Sequence, residues 1–159
     1  ISQFNTCRRL IFTKENVHPL ASLVNKNFHR QIEERTKRLL TKEGSYVIEA
    51  WLSGFVARNL HDTLRVLLTC SNEAVKVDRV VNRDKVTVGE AKKYIKQREA
   101  DNFKTWHVIY GKYDFLNPRY YHLVIDTYSS GQLETVGKVL DKIGYKGQDL
   151  EKLNPIALK

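Results

Sequence analysis

Apolar residues fall into two spacings along this chain. Short, nearly continuous apolar runs occur at Tyr46–Ala50 ("YVIEA"), Arg65–Cys70 ("RVLLTC") and His122–Thr127 ("HLVIDT"), and the opening "ISQF" has the look of a fourth run ending. Runs of this length predict strands buried on both faces, as in a parallel sheet. Between them the spacing turns helical. Leu20, Leu23, Val24, Phe28, Ile32, Leu39 and Leu40 form one such stripe, with Gly44 as its expected stop. A second starts at Ser71 as expected N-cap and carries Val75, Val77 and Val80. A third opens with Thr87 and Glu90 in capping-box register and runs through Ala91, Ile95, Phe103, Trp106 and Ile109 to Gly111. A fourth carries Leu133, Val136, Val139, Leu140 and Ile143.

Strands alternating with helices predict an α/β fold with a parallel sheet flanked by helices. The 159 residues suit one domain. Residues 71–111 are longer than a plain crossover requires, and we read them as an inserted basic helical region. Residues 144–159 are weakly patterned and read as a peripheral tail.

Charge narrows the partners. The net charge of +9 points to a polyanion: nucleic acid, acidic lipid or nucleotide phosphate. Neither a membrane-length apolar run nor a signal peptide is visible, which sets a cytoplasmic expectation. Cys7 and Cys70 lack metal-ligand spacing and read as free thiols; no metal site is expected from them. The five histidines are scattered, and neither a GxSxG elbow nor a Cys–His pair marks nucleophilic catalysis.

Guanidinium groups carry the candidate chemistry. The basic set is Arg8, Arg9, Arg58, Arg79, Arg83, Arg98 and Lys104, with Arg79 and Arg83 on one helical face. Phosphoryl transfer depends on positioning and charge stabilisation, which several arginines supply. A solvated face with incidental arginines is the plain alternative. Glu49 and Asp126 stand at the carboxyl ends of expected strands, where open α/β sheets bind ligands. Glu49 could meet a ribose or base, or orient magnesium through water. Asp126 could equally cap the next turn, and Glu49 is the better functional candidate. Trp51, Trp106, Tyr120 and Tyr121 read as packing aromatics, Trp51 least firmly because it follows Glu49 so closely.

The stretch from Asp78 to Thr127 resembles the second half of cytidylate kinases, in particular the archaeal-type and cytidylate-kinase-like branch. It shows, in the family's order, Arg79 and Arg83, "READN", "IYGKYDFLNP" and "YHLVIDT". "YVIEAWLSGFVARN" is similar to the family's "VIEGRLAGW", and "ISQFNTCRR" to the "ISxGDxFR" segment of nucleoside monophosphate kinases. The resemblance spans Ile1 to about Ile143. It implies a P-loop NTPase-type fold with an Arg-rich helical lid, moving the γ-phosphoryl group of ATP, with Mg2+, to CMP or dCMP. It gives Arg8 the acceptor phosphate, Arg79 and Arg83 the ATP and transferred phosphate, and Arg98 the acceptor side. Tyr128 and Ser129 belong to the segment that would approach adenine. A monomer is the family-level expectation.

Two departures stand out. Trp51 replaces an arginine of the family's "EGR" that could contact the acceptor, with Arg58 a possible substitute. The second is that GxxxxGK[ST] is not found in these residues, and the "GK" at Gly137–Lys138 lies inside a helical stripe. The expectation is a longer protein, with a strand, phosphate loop and helix upstream of Ile1. The competing reading is a kinase-fold protein without that loop, binding RNA or a ribonucleoprotein through its basic face. A kinase for another small acceptor, its pocket reshaped by Trp51, is a third.

Overall fold

The computed structural model describes residues 22, 25–42 and 46–144. Within them lie five α-helices and a two-stranded parallel sheet. Helix α1 is Lys26–Leu40, and the Asn25 side chain caps it by accepting from the Asn27 amide at 2.8 Å. It is shorter than the apolar stripe implied, and Gly44 lies outside the described residues. Tyr46–Ala50, expected as a strand, has no regular secondary structure. A strand exists only through a ladder with a neighbour, and the described sheet pairs other segments. Helix α2 is the single turn Ser53–Val56.

Strands β1 (Val66–Thr69) and β2 (Leu123–Asp126) pair in register from Val66–Leu123 to Thr69–Asp126. Both fall where the apolar runs predicted them. Leu67 and Ile125 are buried, whereas Leu68 and Val124 remain exposed among the described residues. Between the strands run α3 (Glu73–Asp84) and α4 (Val88–Tyr110). Lys85 closes α3 in the left-handed conformation, φ 57°, and its amide donates to the Val81 carbonyl at 2.9 Å. Thr87 and Glu90 then form the capping box that their spacing announced. The cap of α3 differs from expectation. Asn72, not Ser71, accepts from the Val75 amide, because Ser71 is bound to Asp126 across the sheet end.

Two cores share α4. Near its start, Val77, Val80 and Ala91 pack with Tyr94 and Ile95. Near its end, Trp106 meets Leu52, Phe55, Val56 and Phe115. Phe55 is the hub, with the Phe115 and Tyr120 rings edge-on at 4.9 and 5.1 Å. Helix α5 (Gln132–Lys142) follows β2.

Candidate functional site

The carboxyl ends of β1 and β2 are joined by a hydrogen-bond network. The Asp126 carboxylate accepts from the Ser71 amide at 2.9 Å, from the Ser71 hydroxyl, and from the Tyr128 amide at 3.1 Å. These bonds, Ser71's first and with the Arg79 charge adding a little, hold Asp126 below the ordinary carboxylate range. Asp126 therefore ties the turn after β2 to the start of the α3 segment, the capping role rather than a free ligand. Thr127 donates to the Thr69 carbonyl through its amide at 2.8 Å and its hydroxyl at 2.7 Å. The result is a braced rim at the ligand-binding end of the strands.

Arg79 reaches this rim from α3. It donates to the Thr127 hydroxyl at 2.8 Å and to the Thr127 carbonyl at 2.7 Å. Arg83, one turn on, is gripped by Asp84 through two bonds of 2.7 Å, and that hydrogen bonding raises its pKa above the usual guanidinium value. The Lys76–Glu99 ion pair at 3.0 Å sets α3 against α4, and Arg98 is the residue before Glu99 on α4. Its guanidinium sits 5.0 Å over the Trp51 ring and 6.0 Å from that of Tyr94. Thus the arginines singled out as one group from sequence come from two facing helices.

The other candidates are spread out. Glu49 is exposed in the irregular segment before Trp51. Tyr128 is exposed on the turn after β2, and the Ser129 hydroxyl donates to the Asp126 carbonyl at 3.2 Å. Arg8 and Arg9 lie outside the described residues. Arg58 stacks 4.1 Å over Phe55, donates to its carbonyl at 3.0 Å, and lines an open recess of about 570 Å³ with Arg65 and His122. Arg65 and His122 directly precede β1 and β2, which puts Arg58 at the amino ends of the strands, away from Arg79.

Sequence reading passed over Lys76, Lys92 and Lys96. A recess of about 380 Å³ at the carboxyl end of β1 is lined by Cys70, Ser71, Lys76, Lys92 and Lys96. Lys92 and Lys96 are one turn apart on α4, a spacing visible in the sequence; their meeting with Lys76 required the helix pair.

Among the described residues no group of three or more His, Cys, Asp or Glu side chains could hold a metal. Mg2+ that accompanies a nucleotide needs only one or two carboxylates besides phosphates. Asp126 has its oxygens engaged by Ser71 and Tyr128, and Glu49 is exposed in the irregular segment before Trp51. No described helix is long and apolar enough to cross a membrane.

Comparison with known proteins bears on the same residues. The model of the cytidylate kinase-like family matches residues 3–129. A cytidylate kinase from Methanopyrus kandleri is 33% identical over 110 residues, 64% of this chain and 56% of that protein. One from Pyrococcus furiosus is 33% identical over 129 residues, covering 77% and 62%. One from Pyrobaculum neutrophilum is 37% identical over 86 residues, covering 54% and 45%. The chain therefore spans roughly half the length of these curated relatives, between 45% and 62%. No solved structure matches it.

Proposed function

Because the chain belongs to the cytidylate kinase-like family, we propose that it forms part of a nucleoside monophosphate kinase that moves the γ-phosphoryl group of ATP to CMP or dCMP. The observation that carries this reading is Arg79 of α3 reaching Thr127 at the carboxyl end of β2, with Arg83 one turn along the same helix. A transferred phosphoryl group spreads negative charge over its oxygens, and fixed guanidinium groups stabilise that charge.

In this reading Arg79 and Arg83 exchange Thr127 and Asp84 for phosphate oxygens as the α3–α4 pair closes over the nucleotides. Closure excludes water, so that the acceptor phosphate and not water receives the group. Arg98 and Arg8 hold the acceptor phosphate, Glu49 meets its ribose or base, and Tyr128 and Ser129 line the adenine side. Arg58, at the far end of the strands, is a weaker acceptor contact than the rest. Mg2+ supplies charge neutralisation on the donor phosphates when it is bound. Transfer is in line, with no covalent enzyme intermediate.

The test is turnover by the full-length protein with Mg-ATP and a panel of nucleoside monophosphates. CMP and dCMP are expected to be the fastest acceptors. Phosphorylation of none of the panel would overturn the reading. RNA is the second reading, favoured by the net charge of +9; the recess itself is closer to balanced, since Glu73 and Glu99 line it beside Lys76, Lys92 and Lys96 and Lys76 is paired with Glu99. RNA affinity that falls steeply with salt, without ATP turnover, would mark it.

A further inference from the structure

Six arginines lie between residues 58 and 119. Five of them spend donors on protein oxygens: Arg58 on the Phe55 carbonyl, Arg65 on the Tyr120 carbonyl, Arg79 on Thr127, Arg83 on Asp84 and Arg119 on the Tyr120 hydroxyl. Arg98 makes no hydrogen bond or ion pair among the described residues. It is nevertheless placed, because aromatic rings hold it. Trp51 lies 5.0 Å below the guanidinium and Tyr94 6.0 Å away. Trp51 is itself anchored: its ring leans on Trp106, 5.6 Å away and tilted by 54°, and Trp106 belongs to the core. Trp51 is 44% exposed, so the site it supports is open to solvent.

We propose that Trp51 is a positioning residue for Arg98, holding the guanidinium by its face so that its N–H donors stay free for a single phosphate monoester. The proposal rests on the kinase reading for the identity of that ligand, the acceptor nucleoside monophosphate. Stacking and hydrogen bonding use different parts of a guanidinium: the ring meets the flat face, and the donors radiate in the plane. An arginine oriented by a carboxylate would lose its donors to that carboxylate and its charge to the pair. An arginine oriented by an indole keeps both. Trp51 attracts Arg98 in the empty and filled states alike.

The experiment is calorimetric titration of full-length protein with CMP and, separately, inorganic phosphate, for the wild type, Trp51→Phe, Trp51→Leu and Arg98→Gln. Arg98→Gln is expected to weaken both ligands by about tenfold or more. Trp51→Leu should weaken both by roughly fivefold, and Trp51→Phe by much less, since it keeps an aromatic face. In turnover, Trp51→Leu should raise KM for CMP and leave kcat nearly unchanged. Wild-type affinities in Trp51→Leu, or equal losses in the Leu and Phe variants, would overturn the proposal. NMR of the wild type decides it independently of how the variants fold: ring current should shift the Arg98 side-chain protons upfield, and phosphate should move them further. Unshifted protons, or shifted ones indifferent to phosphate, would also overturn it. Phosphate binding that needs Trp51 and Arg98 without any turnover would sink the kinase reading alone. Turnover with Trp51→Leu unaffected would sink this proposal alone.

Discussion

Substituting Gly54 by Ala should destabilise the protein, although alanine is the better helix former. Gly54 sits in α2 directly beneath Tyr121. A Cβ built there would lie 2.5 Å from Cε1 and 2.9 Å from Cδ1 of that ring. Carbon atoms rest about 3.5–4 Å apart, so the ring must retreat by about 1 Å. Its retreat is opposed at the far end, where the Tyr121 hydroxyl donates to the Phe115 carbonyl at 2.7 Å in a buried bond. Phe115 is fully buried against Phe55 and Trp106, so it cannot follow freely. Overpacking of this kind costs about 1–3 kcal/mol, and weakening the hydrogen bond about 1 kcal/mol more. The helix-propensity gain of replacing glycine is at most about 1 kcal/mol. The balance is a loss of about 1–3 kcal/mol, read by urea unfolding with linear extrapolation. The decisive control is the same substitution in a Tyr121→Leu background, where no ring meets the new methyl group. There Gly54→Ala should be neutral or stabilising, giving a coupling energy of the same size as the single-mutant loss. Gly54→Ala as stable as the wild type, or equally harmful in both backgrounds, would refute the steric argument.

Three further outcomes are expected. The Asp126 carboxyl titrates below its ordinary range, so its contribution to stability is present above about pH 4 and lost as pH falls through the lowered folded value; carbon-detected NMR titration should show Ser71→Ala raising that value. Tyr110 is pushed up to about 12, first by burial and then by Glu33, so its contribution is present below pH 10 and lost as pH rises towards 12; ultraviolet titration should find a late-ionising tyrosine, and one that ionises earlier in Glu33→Gln. Thr87→Ala removes the capping box at the start of α4 and should cost about 1 kcal/mol in chemical unfolding, with Thr87→Ser restoring most of it.

Much of this protein is written locally. The capping box at Thr87 and Glu90 was legible because both partners lie within one helical turn, and the apolar runs around Val66–Thr69 and Leu123–Asp126 were legible because a buried strand shows its hydrophobicity residue by residue. The "RE" and "VIDT" signatures and the spaced arginines were enough to point to the family that the comparison found over residues 3–129. Other features depend on residues far apart in the chain. Ser71 gave up the α3 cap to Asn72 because Asp126, 55 positions later, takes its amide and hydroxyl. Tyr46–Ala50 has the composition of a strand but forms no ladder among the described residues, since pairing belongs to two segments and composition to one. Which arginine is spent and which is free could not be read from spacing either. Arg79 and Arg83 share a helix face, yet one is held by Thr127 and the other by Asp84, while Arg98 is held by the face of Trp51. Sequence determined that arginines recur along α3 and α4; the packing of those helices, with Trp51 braced on Trp106, decided which described groups each one meets, because a side chain's hydrogen bonds depend on what the fold sets beside it.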